Sequence, residues 1–202
     1  MDNEHLDFII EGYQPCLLNA FAVVDTEGKQ KKTGSAVMGD PDEWKVKTYT
    51  DAEGFVVVPF ANLARCLSSA GAKVKASGRE TYKTLIPACT YILPEMPRFL
   101  WDGKPFKLED VEKRGWIDQR HVKLKGGGHQ YRYRTKMPAG WRLAFQLMMT
   151  GEEVTVEGLI NCMEVAGRRK GIGDYRPSSP SPGPYGTFKI VSCLYKGEEQ
   201  VS

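Results

Sequence analysis

The sequence predicts an α+β fold: a mainly antiparallel sheet with two helices on one face, an inserted basic β-hairpin and a long N-terminal loop. Three stretches carry this expectation. In residues 141–149, Trp141, Leu143, Phe145 and Leu147 alternate with Arg142, Ala144 and Gln146, the period of a strand with one buried face. In residues 59–75, Phe60, Leu63, Ala64, Leu67 and Ala70 recur at helical spacing behind Pro59 in the first turn. From Thr155, a suitable N-cap, to about Arg169, the residues Leu159, Ile160, Met163 and Ala166 share a helical face, and Arg168, Arg169 and Lys170 complement the negative helix end.

The remaining elements follow in chain order. LDFII (6–10) reads as a first strand, broken by the Gly12–Pro15 region. Leu17, Leu18, Phe21, Val23 and Val24 extend an apolar stretch of undefined period. Residues 25–54 are polar, contain Pro41, and read as a long loop or flap. FVVV (55–58) is a buried strand ending at Pro59. Thr84–Ile86 and Thr90–Leu93 read as short strands interrupted by Pro87, and Pro94, Pro97 and Pro105 mark irregular connections. Residues 117–125 and 130–136 flank Gly126-Gly127-Gly128, where φ > 0 is available for a hairpin turn. Gly171 and Gly173 stop the second helix, a Pro/Ser/Gly loop occupies 177–186, and TFKIVSCLY (187–195) closes as a strand. The order is strand, helix, strand, an inserted hairpin region, then strand, helix, strand, with 82–138 taken as the insertion that carries the hairpin 117–136. That is a split β-α-β, ferredoxin-like core in one domain spanning 1–202. Helices on one face of such a sheet leave the other free for a partner.

The 202 residues, 41% hydrophobic and 26% charged, suit a globular chain, and the net charge of +3 is too small to name a partner by itself. No apolar run approaches the roughly 18–20 residues that span a bilayer, so no membrane role is expected. MDNEHLDFII is acidic with a short apolar stretch, so no signal peptide is expected either. Cys16, Cys66, Cys89, Cys162 and Cys193 are far apart, odd in number and lack a C-x-x-C pair, which predicts reduced, buried thiols in a cytoplasmic protein and no zinc site.

Charge distribution says more. From Gln119 to Arg142 the chain carries Arg120, Lys123, Lys125, Arg132, Arg134, Lys136 and Arg142 with no Asp or Glu, about +7 in a chain of +3. Strand alternation in QYRYRTK puts Tyr131, Tyr133 and Thr135 on one face and Arg132, Arg134 and Lys136 on the other. The arginines suit phosphates and the tyrosines suit unpaired bases; equally, the tyrosines suit covering the core. A second cluster, Arg65, Lys73, Lys75, Arg79 and Lys83, is offset only by Glu80. In RRKGIGDYRP (168–177) the Gly-x-Gly follows a helix rather than opening one, against a dinucleotide loop. There the glycines cap the helix, Asp174 and Arg176 pin the turn, and Arg168, Arg169, Lys170 and Arg176 are available to a polynucleotide backbone.

Catalytic constellations are thin. His121 and His129 flank the glycine turn within reach of one another, but a zinc site needs about four ligands, so no metal or cofactor is expected. His5 and Asp7 share a strand face, and Asp40, Asp42 and Glu43 form an acidic loop read as solvated carboxylates. No Ser/His/Asp or Cys/His arrangement is inferred.

Four stretches, IIEGYQPCLLNAF, EGFVVVPFANLARCLSSAG, KTLIPACTYI and above all AGRRKGIGDYRPSSPSPGPYGTFKIV, resemble a group of small phage and prophage proteins of unsettled function. The strand-helix order is also similar to the RNA-recognition-like core of the Cas7-like backbone subunits of CRISPR complexes. That resemblance implies a non-enzymatic chain that polymerises on single-stranded DNA or RNA as a homo-oligomer in the cytoplasm of a bacterial host, with the hairpin and the loop 25–54 as reaching arms. An assembly component meeting an acidic protein surface and a metal-dependent nuclease using the acidic loop are the alternatives.

Overall fold

A computed structural model of the chain describes residues 4–20, 39–123 and 128–201, with the side chain of Lys123 excluded. In chain order the elements are β1 (Glu4–Gly12), β2 (Cys16–Leu17), α1 (Glu43–Val46), α2 (Phe60–Gly71), α3 (Tyr82–Cys89), β3 (Thr90–Leu93), β4 (Phe99–Trp101) and β5 (Lys104–Pro105). They continue with α4 (Leu108–Lys113), β6 (Ile117–Lys123), β7 (His129–Met137), β8 (Arg142–Met149), α5 (Val156–Val165), a π-helical turn (Ala166–Lys170), β9 (Phe188–Tyr195) and β10 (Glu198–Glu199). The fold is α+β and its strand pairs are antiparallel.

The main sheet runs β10-β9-β1-β8-β4-β5, with β3 also on β8. Alternation sets its buried face: Leu6, Phe8 and Ile10 of β1 lie beside Leu147, Phe145 and Leu143 of β8 in register. The Phe8 and Phe145 rings stack at 5.8 Å. Leu63 and Leu67 of α2 and Leu159, Cys162 and Met163 of α5 complete that core. The Thr155 Oγ1 accepts from the Gly158 N–H at 3.1 Å and caps α5 as expected. The other face of the sheet exposes Ile9, Tyr91, Leu93 and Val191.

Three expectations need correction. Thr84–Ile86 is helical, inside α3, where Tyr82, Leu85, Ile86 and Cys89 recur at helical spacing and pack against α2; Pro87 sits in the last turn, where α3 ends two residues later. Residues 55–58 are extended, with Val56, Val57 and Val58 buried and Phe55 half-buried, but among the described residues they form only isolated bridges, to Thr50, Lys107 and Arg98. The segment 82–93 is part of the main layer through α3 and β3, so the departure from the core begins after Leu93.

A second sheet, β2-β7-β6, carries the expected hairpin, and its tip at 124–127 lies outside the described residues. Of the loop 25–54, residues 25–38 also lie outside them. The described remainder is a packed segment: α1 lies against β7, and Trp44 and Glu43 are buried.

All five cysteines are buried and free. Burial pushes the Cys66, Cys162 and Cys193 thiols up to about 12. The folded protein is therefore expected to resist iodoacetamide at neutral pH and to take up five labels once denatured, read by mass spectrometry.

Candidate functional site

The hairpin arginines do not project together into solvent. Arg132 Nη2 lies 2.6 Å from Glu43 Oε1, and Glu43 is 0% exposed. The other Glu43 oxygen accepts from the Tyr133 backbone N–H at 3.2 Å. Arg134, with 5% of its side chain exposed, lies 3.3 Å from Asp174. Arg120 pairs with Asp118 at 2.7 Å, donates to the Tyr185 hydroxyl and stands over the Tyr185 ring. Arg142 pairs with Glu11 at 2.6 Å. Four of the seven cations, Arg120, Arg132, Arg134 and Arg142, thus pair with the protein's own carboxylates, because burying an unpaired guanidinium costs several kcal/mol. The partners of Arg132 and Arg134 in QYRYRTK lie about 90 and 40 residues away and are invisible to local charge counting, which is why its alternation indicates the ribbon and misses its contacts.

Glu43 accordingly belongs to the structure's interior rather than to a solvated acidic loop. Burial, with Arg132 nearby, holds the Lys47 amine below its ordinary value, while Glu43 opposes that shift. Tyr133 packs against the core and Thr135 is fully buried, its hydroxyl 2.7 Å from that of Thr48. Lys136 is half-buried; Lys125 and the Lys123 side chain lie outside the described residues.

A different group of cations does converge. A cleft of about 680 Å³ opens between α2, the segment after the π-helical turn and residues 57–58. Arg65 of α2, Lys170 and Arg176 all line it, with Asn19, Asn62, Ser69 and Ser178 among its polar lining. The far wall is built by the GIGDYRPSSP segment. The Gly171 N–H bonds to the Ala166 carbonyl at 2.9 Å, closing the π-helical turn, and Gly171 at φ +67 turns the chain out of it. Arg176 Nη1 donates to the Gly173 carbonyl at 2.6 Å and its Nε to Ser178 Oγ at 3.2 Å, so the turn is pinned as the sequence suggests.

Asp174, the acidic residue in the wall, is occupied: it pairs with Arg134 and accepts from Asn19 Nδ2 at 3.1 Å and from the Tyr175 N–H at 2.9 Å. Among the described residues, Arg65, Arg169, Lys170 and Arg176 are paired with no carboxylate, while Arg168 pairs with Glu164 at 3.1 Å. Of the second basic cluster, Arg65 reaches this cleft, whereas Lys75 lines a separate hollow beside Glu80, Glu152, Glu153 and Glu157.

The cleft therefore offers fixed positive charge and amide and hydroxyl donors, features that suit phosphate esters. The two histidines of the hairpin do meet: their rings stack at 4.7 Å between centroids, 9° from parallel. Among the described residues no cluster of three or more potential metal ligands exists, and no helix is long and apolar enough to cross a membrane. No family model matches this sequence, and no curated protein matches it.

Proposed function

We propose that the protein binds single-stranded DNA or RNA without cutting it, gripping phosphates in the α2 cleft, and assembles with copies of itself along the strand. The observation that carries this is that Arg65, Lys170 and Arg176 line one cleft and, among the described residues, none of them is paired with a carboxylate. Arg169 and Arg168 precede Lys170 in the π-helical turn but do not line the cleft, and Arg168 is paired with Glu164. The phosphate grip thus sits at the helix exit and α2, with the hairpin arginines acting as struts.

The spatial order β9-β1-β8-β3, with α2 and α3 leading from the first strand to the second and α5 from the third to the fourth, supports reading the core as a ferredoxin-like or RNA-recognition-like split β-α-β unit. Such a core is consistent with a phage-encoded, Cas7-like chain working in the host cytoplasm. The exposed Ile9, Tyr91, Leu93 and Val191 on the helix-free face support a homo-oligomer, and equally an assembly role with another protein. A nuclease built on Asp40, Asp42 and Glu43 is disfavoured, since Glu43 is enclosed in its pair with Arg132.

The test is Arg65→Glu with Lys170→Glu, measured by fluorescence anisotropy on a labelled single-stranded oligonucleotide. The wild-type protein should lose affinity with salt at a logarithmic slope of about −0.7 per phosphate contacted. The double variant should bind at least about tenfold more weakly with a shallower slope and an unchanged circular dichroism spectrum. Wild-type affinity and slope in that variant would remove the cleft from the reading.

A further inference from the structure

We infer that the hairpin presents a three-ring platform, His121, His129 and Tyr131, on which unpaired nucleobases stack; this rests on the nucleic-acid reading above and adds to it where the bases go. The register pairs His121 with Tyr131 and Lys123 with His129, which puts the three rings on one face of the ribbon. The two imidazoles lie 4.7 Å apart and nearly parallel, and Tyr131 tilts against His121 at 5.2 Å. All three residues are exposed, Tyr131 to 52%. The next residue on that face, Tyr133, ends the platform: it packs on the core, and its hydroxyl accepts from Gln119.

The two faces of the ribbon are thus spent differently. Arg120, Arg132 and Arg134, on the other face, are bound to the protein's own carboxylates and cannot serve as the phosphate grip. Among the described residues His121, His129 and Tyr131 have no carboxylate partner, and they display flat π surfaces, which hold bases of any sequence.

The ribbon is also tied to the cleft. Arg134 pairs with Asp174 of the cleft wall, and Arg120 holds Tyr185 at the end of the same loop. Tyr131 stands three residues from Arg134, about 10 Å along a strand. The rings lie on the ribbon face opposite Arg134, so a chain whose phosphates cross the cleft would reach them around the edge of the ribbon. A duplex keeps its bases inside its own stack, so the platform favours single strands.

The experiment compares a labelled oligothymidylate of about 12 nucleotides with an abasic oligonucleotide of equal length. Tyr131→Ala, and His121→Ala with His129→Ala, should weaken oligothymidylate binding about five- to a hundredfold while leaving abasic binding and the salt slope unchanged. Tyr131→Phe, and His121→Phe with His129→Phe, should retain wild-type affinity. Alanine variants that bind oligothymidylate like the wild type overturn the platform, as do phenylalanine variants that lose as much as the alanine ones. Equal wild-type affinity for both probes leaves the cleft standing and removes the platform. Failure of the wild type to bind either probe removes the nucleic-acid reading itself.

Discussion

Replacing Glu43 by alanine is expected to destabilise the protein by about 3–5 kcal/mol, the cost of leaving a buried charge without its partner. Glu43 is fully enclosed, with Arg132 on one oxygen and the Tyr133 N–H on the other. Its removal strands the Arg132 guanidinium and deepens the penalty on Lys47, whose charge Glu43 offsets. Urea denaturation should show the loss as a lower midpoint with little change in slope. The pair can be separated from the packing by a cycle. Arg132→Met in the Glu43→Met background should recover part of the loss, since an apolar replacement of both partners costs less than a severed pair.

The deficit of the Glu43→Ala protein should also shrink at alkaline pH. Lys47 in the folded state sits below its ordinary value of 10.5, so between the two values the unfolded chain binds more protons and stability rises with pH. The Arg132 guanidinium still lacks its partner, so recovery is partial. A Glu43→Ala midpoint within experimental error of the wild type would mean that the pair is solvated rather than enclosed.

How much of this was legible in the sequence follows from the range of the interactions involved. The strand 141–149 and the helices beginning near Pro59 and Thr155 are written in local period and capping chemistry, and they form close to where that chemistry puts them. Residues 84–86 misled because Pro87 suggests a break, whereas a proline in a closing turn ends a short helix. The hairpin was readable as a ribbon, but the destination of its arginines was not. Glu43 and Asp174 lie about 90 and 40 residues away from Arg132 and Arg134, and nothing in either local pattern links them. The cleft was half readable: Arg168 to Arg176 stood out as a cationic helix exit, and Arg65 as a member of another cluster. Their meeting depends on α2 packing against the π-helical turn, a tertiary fact.

The second large effect is expected at Gly186, the residue that closes the loop forming the cleft wall. Its φ is +68, and a Cβ placed there would come 1.8 Å from the Ile172 carbonyl oxygen, a backbone atom that no side-chain rotation relieves. The same residue is held at both ends: its N–H donates to the Pro15 carbonyl at 2.8 Å and its carbonyl accepts from the Ile172 N–H at 2.9 Å. Alanine therefore has two obstacles. The left-handed conformation costs a non-glycine residue about 1–3 kcal/mol. Relieving the overlap breaks backbone bonds worth about 0.5–1.5 kcal/mol each. The expected loss for Gly186→Ala is about 3–5 kcal/mol, read as a fall in thermal midpoint. Because Ile172 and Gly173 line the cleft, the displaced loop should also weaken oligonucleotide binding in whatever fraction remains folded. Gly197 supplies the control. It has a similar φ, +83, but open space around its Cβ, so Gly197→Ala should show the conformational cost alone and leave binding intact. Equal losses at the two positions would mean that the close approach to Ile172 contributes nothing and that the cleft wall tolerates a shift.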